Sequence, residues 1–112
     1  MSSSEDKILI GNCSGFYGDR LSAAKDMVEG GPIDVLTGDY LAELTMTILY
    51  NQRMQRGEDH GYVGTFLKQF KDVASACQER GIKIVTNAGG LNPVSMAAKV
   101  EEIVEELGLN LK

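Results

Sequence analysis

Apolar residues in this chain fall into short unbroken runs and stretches at helical spacing, and glycine marks most of the changes between them. Lys7 to Asn12 is an apolar, β-branched run bounded by glycine, which predicts a buried strand. From about Asp19 to Glu29 the apolar residues Leu21, Ala24, Met27 and Val28 recur at helical spacing. Gly30-Gly31-Pro32 should end that helix, with glycine in a left-handed cap and proline unable to continue the turn. Ile33 to Thr37 predicts a second strand. Asp39 then reads as the cap of a second helix, whose inner stripe would be Leu41, Leu44, Ile48 and Leu49.

Gln55 to Gly61 is the one clear exposed loop. Beyond it Val63, Phe66, Leu67, Phe70, Val73, Ala74 and Cys77 fit the i, i+3, i+4, i+7 template, and Gly81 ends that helix. Ile82 to Thr86 predicts a third strand. Asn92-Pro93 supplies a cap and a first-turn proline for a fourth helix, with Ala97, Val100, Ile103, Val104 and Leu107 inward and Gly108 closing it. Leu109 to Lys112 reads as the stub of a fourth strand.

The resulting order, β-α-β-α-α-β-α and a stub, is that of an α/β protein: a Rossmann-like three-layer fold on a parallel sheet of three strands, with right-handed crossovers. So small a sheet leaves exposed edges, which proteins usually cover. Residues 7–112 are therefore expected to form part of a larger domain, or to need a second copy or a larger complex over an open edge. Residues 1–6, Met1-Ser2-Ser3-Ser4-Glu5-Asp6, are expected to be a disordered polar tail.

At 112 residues the chain is one domain or part of one. Its net charge of −5, with no basic run, argues against nucleic acid and against an anionic membrane surface. No apolar stretch approaches the roughly 20 residues that span a bilayer. The acidic start is neither a signal peptide nor an Arg-rich transit sequence. Cys13 and Cys77 have no metal-ligand spacing, so free thiols in a reducing cytosol are expected.

The chemistry gathers where the three apolar runs stop, because ligands of open parallel sheets bind outside the strand C-termini. In the first segment, Ile8 to Arg20, the glycines stand at Gly11, Gly15 and Gly18. Gly15 and Gly18 match the last two positions of the dinucleotide fingerprint, Cys13 replaces the first, and Asp39 lies where a ribose-binding acid would sit. No Gly-Lys-Ser/Thr follows, so this is no P-loop. The segment favours an anion: Gly15 and Gly18 admit a ligand to the backbone, helix N–H groups face it, and Arg20 adds a bidentate contact. Asn12, Ser14 and Asp19 complete the first set of ligand-binding candidates. The plainer alternative is a tight turn, with Asp19 as a cap and Arg20 solvated.

Asp39 and Glu43 are four apart and, on one helix face, would pair as acid and base or hold a hard cation. They are the catalytic candidates, although Asp39 could simply cap a helix. Asn87-Ala88-Gly89-Gly90-Leu91-Asn92-Pro93 sets two asparagines around a double glycine, so Asn87, Gly89, Gly90 and Asn92 are candidates to contact the polar part of a small-molecule ligand. Cys13 reads as a small buried residue rather than a nucleophile, since the only histidine, His60, lies in a distant loop. Met46, Met54, Phe66 and Phe70 read as core or edge packing. The sequence names no cofactor.

Gly11-Asn12-Cys13-Ser14-Gly15-Phe16-Tyr17-Gly18-Asp19-Arg20, Gly30 to Met46, and Thr86-Asn87-Ala88-Gly89-Gly90-Leu91-Asn92-Pro93 together resemble the acyclic terpene utilisation (AtuA-type) family. The likeness runs from about Lys7 to the C-terminus with the motifs in order; Cys13 stands where a small residue such as alanine is expected. The resemblance implies a role in the breakdown of acyclic terpenoids such as citronellol and geraniol, which proceeds through CoA thioesters. It also implies a longer domain, of which this chain would be the N-terminal portion. It assigns no catalytic residue. A truncated, non-catalytic binding protein and a plain nucleotide-binding module are the alternatives.

Overall fold

The computed structural model describes residues 7–111. Seven elements follow in the expected order: β1 (Ile10–Asn12), α1 (Ala23–Gly30), β2 (Val35–Gly38), α2 (Glu43–Arg56), α3 (Thr65–Arg80), β3 (Lys83–Thr86) and α4 (Pro93–Glu106). The strands form one parallel sheet in the order β1-β2-β3, with Ile10 opposite Val35 and Val35 opposite Lys83. The fold is thus mixed α/β with a Rossmann-like layout. The expected disordered tail, residues 1–6, lies outside the described residues, as does Lys112.

The alternation of side chains across a strand decides where the helices pack. Gly11, Leu36 and Gly38 are buried, whereas Ile10, Asn12, Lys83 and Val85 are exposed. On the buried side Leu36 meets Ala24 and Val28 of α1 and Val73 and Cys77 of α3, with Cys13 and Ile82 at its margins. A second cluster joins Tyr40, Leu49 of α2, Val63, Phe66, Phe70 and Ala88, against which Val100, Ile103 and Val104 of α4 pack. Among the described residues there are therefore two layers, helices and sheet. The face where a third layer of the Rossmann-like plan would lie carries exposed Ile10 and Val85.

Several local expectations are corrected. α1 starts at Ala23 rather than Asp19, because Asp19 turns its carboxylate back onto its own loop; Leu21 is consequently exposed, not inward. Gly31 caps α1 in an extended conformation, φ −171°, so no left-handed cap forms there. Gly81 ends α3, as expected, and it is there that a left-handed cap forms, φ 69°. α2 begins only at Glu43, and its N-cap is Ala42; Asp39 does not cap it. Leu44 faces solvent, and the interior position of the first turn goes to Thr45. Ala97 and Leu107 are exposed, and α4 has no fully buried residue. Met54 is exposed as well.

Leu109 to Leu111 form no strand. Leu109 and Leu111 instead lie half-buried against the second cluster. They help to line an apolar groove along the free edge of β3, with Phe70, Ile84, Val100 and Val104.

Candidate functional site

The first loop follows β1 and is built around one carboxylate. Asp19 accepts from the main-chain N–H of Gly15 at 2.9 Å and from that of Arg20 at 2.8 Å. These two bonds hold its carboxyl below the usual aspartate range. The N–H groups expected to meet an external anion are thus already facing a negative charge of the chain itself. Gly18 adopts φ 89° in open space, which permits the turn. Arg20 pairs with Asp26 at 2.6 Å, both side chains being more than half exposed. Such a pair contributes about 0–1 kcal/mol, so it does little to stop Arg20 from exchanging partners. Ser14 is buried, and its hydroxyl donates to the Phe16 carbonyl.

The second loop is joined to both of the others. The Asp39 N–H donates to the Ser14 carbonyl at 3.0 Å, and the Asp39 carboxylate accepts from Asn87 Nδ2 at 2.8 Å. Asn87 is doubly used, since its Oδ1 accepts the Tyr40 N–H at 2.9 Å. On the same edge Thr37 donates to Asn12 Oδ1 at 3.0 Å, and Asn12 Nδ2 donates to the Ser14 carbonyl. Asn12, Asp39 and Asn87 are all exposed. The result is one polar rim, from Asn12 through Thr37 to Asp39 and Asn87, at the C-terminal edge of three adjacent strands.

Glu43 does not share a helix face with Asp39. It is the first residue of α2, and Asp39 lies before the helix in non-helical chain, so the i, i+4 relation does not apply. No group of three metal-ligating side chains occurs among the described residues.

In the third loop the two glycines answer to packing. A Cβ on Gly89 would stand 2.8 Å from Pro93 Cα, and one on Gly90, which has φ 54°, would stand 2.5 Å from Leu49 Cδ1 and 2.9 Å from the Gly61 carbonyl oxygen. Asn92 is the N-cap of α4, accepting from the Ser95 N–H at 3.2 Å with proline at the first turn, as expected. Its Nδ2 donates to the carbonyls of Glu58 and His60, which fastens the 57–61 loop to the start of α4. His60 pairs with its neighbour Asp59 in that loop, away from Cys13.

The structure thus gathers Asn12, Ser14 and Asp39 with Asn87, leaves Glu43 apart, and uses Gly89, Gly90 and Asn92 to shape the third loop. Sequence reasoning missed Thr37, Tyr40 and Gln69. Thr37 is legible only through its register opposite Asn12. Gln69 had a signal: it is a polar residue on the core stripe of α3, between Phe66 and Phe70. Tyr40 is buried, and its hydroxyl bonds to Gln69. Burial first, and then the neighbouring Cys13, pushes the Tyr40 phenol well above its ordinary value. Burial likewise pushes up the Cys13 thiol, partly offset by the Tyr40 hydroxyl beside it. Cys13 is a buried thiol, not an activated nucleophile.

No curated protein and no solved structure is significantly similar to the chain. A family model, described as acyclic terpene utilisation family protein AtuA, matches residues 8–112 and so takes in all three strand-end loops. The chain belongs to the AtuA family of acyclic terpene utilisation proteins.

Proposed function

We propose that this protein acts in the cytosol in acyclic terpenoid catabolism, binding a small organic acid or acyl-CoA-like ligand at the C-terminal edge of its sheet. The observation that carries this reading is the polar rim: Asn12, Thr37, Asp39 and Asn87 stand at the ends of three adjacent strands, with Thr37 bonded to Asn12 and Asn87 to Asp39 through their side chains. Family membership supplies the metabolic setting. Asn12 and Asn87 orient the polar part of the ligand, and Asp39 is the carboxylate placed for proton or cation work. Arg20, on leaving Asp26, takes the anionic part, since the Gly15 N–H already faces the Asp19 carboxylate. Glu43, at the start of α2, is not paired with Asp39 and has no part in this reading.

The test is an amide-resolved NMR titration with a C10 acyclic acyl-CoA thioester, the free C10 acid and CoA alone. Shifts confined to Asn12, Gly15, Asp39 and Asn87 support the reading and identify the half of the ligand that is recognised. Saturating thioester that moves none of them rules it out. A second reading, a ligand- or partner-binding protein without turnover, is favoured by the position of Glu43 at the start of α2, which leaves Asp39 without the second carboxylate expected beside it. It expects the same shifts with no product formed.

A further inference from the structure

Gln69 is a buried polar side chain in the apolar stripe of α3, and chemistry permits its amide only one orientation. Its Nε2 donates to the carbonyls of Arg20 and Leu21 at 3.4 and 3.5 Å, while its Oε1 is bonded to the Tyr40 hydroxyl. Carbonyl oxygens only accept, so the amide nitrogen must face them and Tyr40 must donate to Oε1. Tyr40 follows Asp39 directly, and its N–H donates to Asn87. One residue therefore belongs to the second loop, grips the third, and through Gln69 holds the far end of the first. The near end of the first loop is fixed separately, by the Asp39 N–H on Ser14.

We propose that Tyr40 and Gln69 are a positioning pair that sets the spacing of the three strand-end loops, and hence the shape of the ligand edge, without facing ligand. This deepens the proposed function and rests on that edge being the ligand site. Tyr40→Phe removes only the hydroxyl; Gln69→Met removes the link to both carbonyls at similar length.

Amide hydrogen exchange on the full chain without ligand tests the pair, so its failure is separable from a failed ligand titration. Gly15, Asp19, Arg20 and Ala23, whose N–H groups are hydrogen-bonded in or next to the loop, should exchange roughly tenfold faster in Tyr40→Phe. Val73 and Ala74 of α3 should change only as the variant's global stability, measured by urea unfolding, requires. Gln69→Met should have the same local effect, and the double variant no more than either alone. Loop rates unchanged in the folded variants would overturn the proposal. So would rates that rise only in step with global stability, or single effects that add. Should Tyr40→Phe not fold, Gln69→Met alone decides by the same criteria.

Discussion

Gly38 shows how closely one residue can be specified. It ends β2 without an unusual backbone, yet a Cβ there would stand 2.6 Å from Tyr40 Cε2 and 3.0 Å from Cζ. The ring doubles back under its own strand and, packed edge-on against Phe66, has no room to retreat. Gly38→Ala is therefore expected to lower stability by about 1–3 kcal/mol, as overpacking does. An unchanged urea midpoint would show that the ring can move. Asp19 makes a second residue-scale prediction. Its folded pKa lies below the unfolded value of about 3.9. Its contribution is thus present above the unfolded pKa and lost as pH falls through the folded one. The Gly15 amide shift should titrate below pH 4, and Asp19→Asn should abolish that step. The thiols have the opposite sign: burial raises both, so their contribution is whole below the unfolded pKa and fades as pH rises through the folded one. Both should resist alkylation in native protein at neutral pH and react after unfolding; rapid native labelling would contradict their burial.

Among the elements, α4 depends most on a single side chain. Asn92 caps it and also fastens the 57–61 loop. Asn92→Ala should cost about 1–2 kcal/mol, whereas Asn92→Asp keeps the cap and loses only the two donated bonds. Equal losses in urea unfolding would mean that the cap contributes nothing. This element was legible in sequence because Asn-Pro is a local signal. The α3 stripe was legible too, since helical periodicity repeats over four turns. α1 and α2 were read as starting too early for a common reason. An aspartate before an apolar stretch satisfies a helix N-terminus in the simplest case, but Asp19 and Asp39 are drawn to N–H donors of their own loop and of Asn87. The partners of Asp19 are the local N–H groups of Gly15 and Arg20, whereas that of Asp39 depends on tertiary approach, since Asn87 lies 48 residues away. For the same reason the strand-end edge could be read as a candidate site, while the Tyr40–Gln69 link beneath it could not.

At the scale of the whole molecule the sheet is covered on one side. Ile10 and Val85, 64% and 59% exposed, stand on the other. Replacing both by threonine should reduce concentration-dependent light scattering and leave stability within about 0.5 kcal/mol. Scattering that does not fall would show that this face does not drive self-association.

The strand order has a temporal consequence. Each strand pairs with the one made just before it: Thr37 meets Asn12 25 residues back, and Thr86 meets Gly38 48 residues back. Among the described residues no strand has to wait for a later one to be inserted between it and its neighbour. During synthesis, at about 5–20 residues per second, β1, α1 and β2 can assemble within a few seconds of leaving the ribosome and offer β3 a finished edge. Among the described residues the sheet grows in the direction of translation, each new strand adding to the edge of the one before it.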